Sequence, residues 1–247
     1  MTAAIAISTY RTTDDTKQDV LTTRMVECVD SLIKNVTSDT RMLLVDDGST
    51  SQKHHDVIDQ IKNAGRVEVI RHESNGGVAE TKNTCLRWFQ KTNAEWGFLS
   101  DDDVLFHSDP TVFYPAKMQT SGIKHCGWWC SDFRSLQPIG TVRLGQNYVH
   151  KLKWTLGVFM SFHRSVVDSV GAFQVLPNRW SWEHIDWQRR CVRAGFAPYP
   201  LDFVGSKNVL TMHKSHRQST TPYTNRAQMN NQNRIAAEKF TGVYLPL

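Results

Sequence analysis

The sequence predicts an α/β fold, with a mainly parallel sheet flanked by helices and a smaller subregion after it. Short apolar, β-compatible runs alternate with helical patterns through the first hundred residues. This alternation is typical of parallel strands joined by crossover helices. Polar clusters follow three of the runs, and ligands of such sheets bind beyond the carboxyl ends of the strands. The sequence therefore predicts both the fold and the sheet edge that carries the site.

Local patterns place the elements of the first half. Residues 3–9, AAIAIST, suit a buried strand, whereas residues 20–36 repeat apolar side chains at helical spacing. Gly65 closes a later helix, and a glycine turn opens the next one. The predicted order alternates strands at 3–9, 42–45, 66–72 and 95–100 with helices at 20–36, 54–65 and 75–91.

The second half of the chain is less regular. HCGWWCSDF, residues 125–133, suits a strand, and residues 157–173 predict a strand followed by a short helix. The Trp-rich segment 180–196 leads into a helix that a glycine closes, and residues 223–240 predict a terminal helix. No repeat or low-complexity linker forces a boundary, so we expect a single domain over 1–247.

Composition narrows the function classes. The net charge of +5 suits an anionic ligand, but no basic run of five or more residues marks a nucleic-acid tail. The five scattered cysteines predict reduced thiols, and Cys126 and Cys130 lack the second ligand pair of a structural zinc site. The N-terminus lacks a signal-peptide pattern and no apolar run approaches roughly 20 residues, so we expect a soluble, cytoplasmic protein without an integral membrane segment.

Three consecutive carboxylates, Asp101, Asp102 and Asp103, follow an apolar strand and precede another apolar run. Like charges this close repel each other and resist burial. A solvated loop is one interpretation. The apolar flanks favour a position near the core, where Mn²⁺ or Mg²⁺ would neutralise the acids and share phosphate oxygens of a ligand. We therefore favour a metal site.

Six segments of the chain, taken in their order along the sequence, indicate a family: ISTYR, VDDGST, NGGVAETKN, the DDD run, GVFMSFHRSVVDSVGAF and WEHIDWQRRCVRAGF. VDDGST is the most specific of them. In this order they resemble the GT-A glycosyltransferases of the family 2 type, over roughly residues 3–215. The resemblance implies a GT-A (Rossmann-like) fold. Residues from about 1 to 105 would bind the nucleotide sugar, about 106–220 would bind the acceptor and carry catalysis, and 221–247 would form a C-terminal helix and tail.

The resemblance also implies a nucleotide-sugar site. The first strand end and the VDDGST segment would hold the base and ribose through Thr9, Tyr10, Arg11, Asp46 and Asp47. A carboxylate that accepts from a uracil N–H is a sensible match, so a UDP-sugar is the favoured donor; turn formation and helix capping are the alternative for the two acids. Lys82 occupies a position where a cation and a helix N-terminus both favour phosphate, with a solvated surface lysine as the alternative.

The DDD run matches the family's DxD motif, which binds the metal and the sugar diphosphate. We assign Asp101 and Asp103 to this motif as metal ligands, and Asp101 and Asp102 to the nucleotide sugar. A motif shifted by one residue is the alternative. A histidine often supplies a third ligand in this fold, and we expect His213 in that role because it follows the apolar VLTM, with His216 as the alternative.

WSWEHIDW resembles the family's acidic acceptor-side motif, with His184 in place of the usual Asp between Glu183 and Asp186. These three residues are the catalytic candidates, and Glu183 or His184 is the expected general base. His184 would act at its normal pKa near pH 7, and Glu183 would act as the base with a raised pKa. Trp180 and Trp182 are expected to stack on the acceptor. A missing base with retention of configuration, or a helix N-terminal acid stabilised by the dipole, is the alternative.

Together these features predict a metal-dependent hexosyltransferase that moves a sugar from a UDP-sugar to an acceptor hydroxyl with inversion. The expected acceptor is a glycan or envelope polymer, and the basic charge keeps a nucleic acid such as modified DNA open. A nucleotidyltransferase and a non-catalytic nucleotide-sugar-binding protein are the competing classes. An NAD-type oxidoreductase is disfavoured because no G-x-G-x-x-G follows the first strand.

Overall fold

The chain folds, in a computed structural model, with the predicted alternation of strands and helices. The structure describes residues 2–12, 18–130, 137–178, 181–214, 226–240 and 242–247. Its strands are β1 (Ala3–Thr9), β2 (Arg41–Asp46), β3 (Glu68–Arg71), β4 (Trp96–Asp101), β5 (Val104–Phe106), β6 (His125–Trp128), β7 (Gly140–Leu144), β8 (Asn147–Lys151), β9 (Leu156–His163), β10 (Leu201–Phe203) and β11 (Leu210–Met212). Its helices are α1 (Gln18–Asn35), α2 (Gln52–Asn63), α3 (Val78–Lys91), α4 (Pro110–Ser121), α5 (Arg164–Val170), α6 (Glu183–Arg193) and α7 (Arg226–Lys239).

The main sheet is mainly parallel, as predicted. Its strand order is β3-β2-β1-β4-β9-β6. The first four strands run parallel, and β9 is antiparallel to both β4 and β6. A three-stranded sheet, β10-β8-β7, and the pair β11-β5 form a smaller subregion beside it.

Side chains of β1 and β2 alternate between two apolar cores. Ile5 and Leu44 pack with Met25 of α1 on one face of the sheet. Leu43 packs with Leu86 of α3 on the other face. Because helices cover both faces, these strands carry near-continuous apolar runs instead of a polar–apolar alternation.

Several elements after residue 103 were not predicted. Helix α4 has clear end signals: the Asp109 side chain accepts the Thr111 N–H at 2.7 Å, and Gly122 ends the helix in the left-handed conformation. The strands β5, β7, β8, β10 and β11 have only three to five residues, which is too short for periodicity to mark them. The strand expected over 125–133 is shorter, since β6 ends at Trp128 and residues 131–136 lie outside the described part of the chain.

Strand register gathers the polar strand ends at one edge. Strand β1 lies between β2 and β4, with Thr9 opposite Asp46 and Ser8 opposite Asp101. Strand β9 runs the other way, with Phe159 opposite Ser100, so its first residues lie at the carboxyl end of β4. The predicted crevice beyond the strand ends is therefore built from β2, β1, β4 and the start of β9.

Candidate active site

A buried charge cluster fixes the end of β1. The carboxylate of Asp102 accepts from the Thr9 hydroxyl at 2.5 Å, from Arg11 Nη2 at 2.6 Å and from Arg24 Nη2 at 3.2 Å. Burial alone would raise the pKa of Asp102, but the two arginines and the Thr9 hydrogen bond outweigh it and hold the pKa below its usual value. Asp102 is therefore an ionised anchor that orders the predicted nucleotide-binding residues Thr9 and Arg11.

Two members of this cluster, Arg24 and His54, were not predicted from the sequence. Arg24 lies among the apolar positions of α1, between Leu21 and Met25, and is 4% exposed; a charge on the apolar face was the available signal. His54 is fully buried on α2, with Nε2 3.2 Å from the Thr9 hydroxyl. Burial and the nearby arginine lower the pKa of His54 to about 4, so the imidazole is neutral near pH 7.

Asp46 lies at the end of β2 and faces the next turn. Its carboxylate accepts the Ser49 N–H at 3.2 Å and also the Ser49 hydroxyl. His55 Nε2 and Arg71 Nε approach its other oxygen to 3.7 and 3.9 Å. Tyr10, by contrast, is 37% exposed, which leaves its ring accessible at the same edge of the sheet.

Asp47 organises the glycine turn before α3. Its oxygens accept the N–H groups of Gly76 and Gly77 at 3.0 and 2.9 Å, and His72 Nδ1 lies 2.8 Å away. This carboxylate thus connects β2 to the start of α3. Both acids of VDDGST therefore make the turn contacts that the alternative interpretation expects. Their roles in nucleotide binding stay predictions.

Lys82, Glu183 and His184 form a second buried cluster across the crevice. Lys82 Nζ donates to the Gly157 carbonyl at 2.9 Å and lies 3.3 Å from Glu183 Oε1, which His184 Nδ1 also approaches to 3.0 Å. Lys82 is 2% exposed, so the solvated-lysine alternative is wrong. Burial alone would raise the pKa of Glu183, but Lys82 and His184 outweigh it and hold the pKa below its usual value. The expected raised pKa of Glu183 is therefore also wrong.

Glu183 has one oxygen available for a ligand. Its Oε2 is buried and has no hydrogen-bond partner among the described residues. The side chain lines a cavity of about 190 Å³, together with Gly76, Ala79, Val175, Leu176, Asn178 and Ser181. This volume is below the roughly 300–1,000 Å³ of pockets for drug-sized ligands, so it suits one ring-sized group.

The remaining acceptor-side candidates are Asp186, Trp182 and Trp180, of which the first two have different environments. Asp186 is buried and its carboxylate accepts from Arg190 Nε at 2.8 Å, so it turns toward its own helix. Trp182 precedes α6 in the left-handed conformation, and the Arg189 guanidinium lies over its ring at 5.5 Å. Trp180 lies outside the described residues. Their roles in acceptor binding and catalysis stay predictions.

The acidic corner at the end of β4 holds the expected metal ligands. Burial raises the pKa of Asp101 to about 7; Lys82 opposes this shift, whereas Asp103 and Asp102 add to it. The Asp103 carbonyl accepts the backbone N–H of His213 at 2.8 Å, but the His213 ring pairs with Glu27, as His213 Nε2 contacts Glu27 Oε2. Within the described ranges, no group of three or more His, Cys, Asp or Glu side chains is arranged to hold a metal ion by itself. His216 lies outside those ranges.

The donor set nevertheless fits a divalent cation that shares its ligands with a substrate. Asp101 and Asp103 are hard oxygen donors, and a bound cation would offset both the burial and the mutual repulsion that raise the pKa of Asp101. Mg²⁺ and Mn²⁺ are commonly bound through one or two carboxylates with phosphates and water completing the shell. The Asp101 and Asp103 carboxylates are therefore suitable donors for the predicted cofactor, and the roles of Asp101, Asp103 and His213 as metal ligands stay predictions.

The fold and the site together define a class. A mainly parallel sheet, polar strand ends in one crevice, an acidic corner after the fourth strand and an acid at the start of a facing helix are the arrangement expected of a GT-A glycosyltransferase. No helix among the residues that the structure describes is long and apolar enough to cross a bilayer.

Comparisons with known proteins agree with this class. The family model "Glycosyl transferase family 2" matches residues 22–112. An uncharacterized glycosyltransferase of Acanthamoeba polyphaga mimivirus is 28% identical over 223 residues, covering 85% of this chain and 80% of the relative. These matches agree with the resemblance read from the sequence: the chain is similar to family 2 glycosyltransferases over residues 22–112 and to a glycosyltransferase over most of its length.

Solved structures confirm the GT-A fold. A mannosyltransferase from Pyrobaculum calidifontis, in complex with GDP-Man and Mn²⁺, matches with a TM-score of 0.56 at 12% identity. The match covers 78% of this chain and 52% of the mannosyltransferase. S. aureus TarS in complex with UDP has a TM-score of 0.55 at 17% identity, with coverages of 77% and 55%. The chain thus spans about half the length of these two structures.

Proposed function

We propose that the protein transfers a sugar from a nucleoside diphosphate donor, with UDP favoured, to an acceptor hydroxyl in a metal-dependent and inverting reaction. The observation that carries the proposal is the strand register, which aligns Thr9, Asp46 and Asp101 along one crevice. In this proposal the half up to about residue 105 binds the donor. Residues from about 106 to 220 bind the acceptor.

Donor binding would use the first charge cluster. Tyr10 offers an accessible ring face for the base, and Asp46 offers a carboxylate for its N–H groups or the ribose hydroxyls. Asp102 would hold Arg11 in place beneath the nucleotide. The two solved neighbours hold GDP-Man or UDP, which supports a nucleotide donor here.

Asp101 and Asp103 would hold Mn²⁺ or Mg²⁺ together with the donor diphosphate. A bound cation would offset the negative charge that develops on the departing nucleoside diphosphate. Burial and the neighbouring acids raise the pKa of Asp101, and the positive charge of Lys82 opposes that shift. It would thus limit the repulsion between the acids and the incoming phosphates.

His184 is the favoured base, because the hydrogen bond from its Nδ1 to Glu183 leaves Nε2 with a lone pair. This tautomer is assigned from the hydrogen bond. Nε2 would take the proton of the acceptor hydroxyl as that oxygen attacks the anomeric carbon on the face opposite the leaving diphosphate. Lys82 keeps Glu183 ionised, so Glu183 orients the imidazole, and its Oε2 can accept a sugar hydroxyl.

The first test is a donor screen by thermal denaturation with UDP-glucose, UDP-N-acetylglucosamine and GDP-mannose, with and without Mn²⁺. A donor at a hundredfold excess over Kd stabilises the folded state by about 2.7 kcal/mol, which is several degrees for a chain of this size. Asp103→Asn should abolish the Mn²⁺-dependent part. Asp168→Asn, which changes an exposed acid on α5, is the matched control. No shift with any donor would contradict the proposal.

The second test follows the label. A radiolabelled sugar that enters the product supports glycosyl transfer, whereas label from the nucleotide would identify a nucleotidyltransferase. A binder without either product, even with Mn²⁺, would contradict an enzymatic role. His184→Gln should remove transfer and change donor binding little, since the predicted base and ribose residues Thr9, Arg11 and Asp46 belong to other contacts.

The acceptor is proposed to be a glycan or an envelope polymer. The net charge of +5 makes a polyanionic acceptor the testable extension. Acceptor affinity that falls steeply between 50 and about 200 mM salt would indicate a nucleic acid or another phosphate polymer. An affinity independent of salt would leave the neutral glycan.

A further inference from the structure

The turn before α6 holds two residues in a backbone conformation that residues other than glycine rarely adopt. Ser181 has a φ of 75° and Trp182 a φ of 73°, both in the left-handed region. Such strain persists only where the surroundings impose it, and it concentrates at functional sites. The Trp182 carbonyl accepts the Asp186 N–H at 3.0 Å, as the first hydrogen bond of α6. The turn therefore determines how α6 starts, and with it the position of Glu183.

Several residues of the C-terminal helix α7 contact Asn178 and Ser181, and one of them, Asn233, is fully buried. Asn233 Nδ2 donates to the carbonyls of Ser181 and Asn178 at 3.0 and 3.1 Å. Its Oδ1 accepts the Asn178 N–H at 2.9 Å. A second contact comes from Asn230, whose Oδ1 accepts the Ser181 hydroxyl at 2.6 Å. Asn233 thus connects both Asn178 and Ser181 to α7.

The two residues that Asn233 holds also line the cavity beside Glu183. Asn178 and Ser181 share this lining with Gly76 and Ala79 near the start of α3. Movement of Asn178 and Ser181 would therefore shift the cavity lining and, through Trp182, the start of α6 at Glu183.

We propose that Asn233 is a positioning residue for the transfer reaction, acting through the turn that places Glu183 and its partner His184. The inference rests on the proposed function, because it concerns the same pair. It makes α7, which lies far from Glu183 in sequence, part of the apparatus that orients the reacting groups. Asn233 itself touches neither the Glu183 side chain nor any predicted donor residue in the contacts described.

The test compares Asn233→Ala with Asn231→Ala, which changes an exposed residue of the same type on the same helix. Nucleotide release from UDP-glucose, UDP-N-acetylglucosamine and GDP-mannose is measured with Mn²⁺. Asn233→Ala should lower kcat by roughly 10- to 100-fold, the cost of misplacing catalytic groups by about 1 Å. The KM for the donor and the Kd for UDP should change much less than kcat, because the predicted base, ribose and metal residues lie at the ends of β1, β2 and β4. Asn231→Ala should match the wild type.

A rescue experiment separates positioning from general stability. Glycine adopts a positive φ at no steric cost, so Ser181→Gly should restore part of the kcat lost in Asn233→Ala. Hydrogen exchange of the amides in 178–186 should accelerate in Asn233→Ala and not in Asn231→Ala. If Asn233→Ala does not fold, Asn233→Asp takes its place, since it keeps the Oδ1 acceptor and loses both donated hydrogen bonds.

Three results would overturn the inference: kcat unchanged in the Asn233 variant, equal losses of kcat and UDP affinity, or no rescue by Ser181→Gly. A wild-type protein that releases nucleotide from none of the donors would instead remove the proposed function. The exchange measurement would then still show whether α7 holds the turn.

Discussion

Gly157→Ala is the sharpest probe of the Lys82–Glu183–His184 cluster. A Cβ at position 157 would lie 2.7 Å from His184 Cγ, 2.8 Å from His184 Nδ1 and 2.9 Å from Lys82 Nζ. Ordinary van der Waals contact begins at 3.4 Å, so the imidazole must move by about 0.7 Å, the difference between 3.4 and 2.7 Å. The backbone at Gly157 does not require a positive φ, so collision is the only objection to alanine.

The displacement acts on the 3.0 Å hydrogen bond between His184 and Glu183. We expect kcat for transfer to fall roughly 10- to 100-fold, because the proposed base leaves its productive geometry. Overpacking of this kind costs about 1–3 kcal/mol of stability, which lowers Tm by several degrees. Donor affinity should fall less than kcat, because the Thr9, Arg11 and Asp102 cluster is untouched and only Lys82 among the predicted donor residues is displaced.

The assay measures transfer rate and donor Kd in parallel, with Tm as a check on folding. Gly140→Ala is the matched control, because a Cβ there meets no described atom within 4 Å and its φ is not positive. If Gly157→Ala were as active as Gly140→Ala, the imidazole would not need its present position. The assignment of His184 as the base would then be wrong.

Other predictions concern buried charges. Asp102→Asn leaves the charges of two arginines uncompensated and should lower the free energy of unfolding, measured by urea denaturation, by about 3–5 kcal/mol. An unchanged urea midpoint would show that the cluster does not stabilise the fold. Burial lowers the pKa of His125 to about 4. Between about pH 6.5 and pH 4 the unfolded chain therefore binds a proton at His125, whereas the native protein leaves this imidazole neutral. Stability should therefore fall from about pH 6.5 to pH 4, by at most about 3 kcal/mol from this group, and His125→Phe should flatten that part of the profile. Asp186→Asn should destabilise the protein by unpairing Arg190, but full stability with lost transfer would instead support the predicted catalytic role.

The first half of the fold was predictable because each element there has a strong local signal. The expected strand at 42–45 appears as β2, and the helix at 75–91 appears as α3 from Val78. Apolar periodicity and glycine turns mark these elements, and helices on both faces of the sheet keep the strand runs apolar. The small antiparallel strands of the second half are held by pairing with distant segments, such as β5 with β11, and local patterns do not report such pairing.

The sequence indicated which residues belong to the candidate site, but it did not predict which of them contact each other. Asp102 was expected at the nucleotide sugar, but its partner Arg24 is separated from it by most of the first half of the chain. Lys82 was left open between a phosphate ligand and a surface residue. Its contact with Glu183 depends on α3 and α6 packing together, which no local motif encodes.

By itself, the sequence determined the order of strands and helices, the acids at the strand ends and the family resemblance. These properties reside in contiguous residues, where periodicity and turn chemistry act over a few bonds. The tertiary structure alone decided which charges are paired, buried or available. It directed Asp102 to arginines, lowered the pKa of Glu183 and placed Asn233 against the turn before α6. Pairing and desolvation depend on distances between residues far apart in the chain, and only the folded structure fixes those distances.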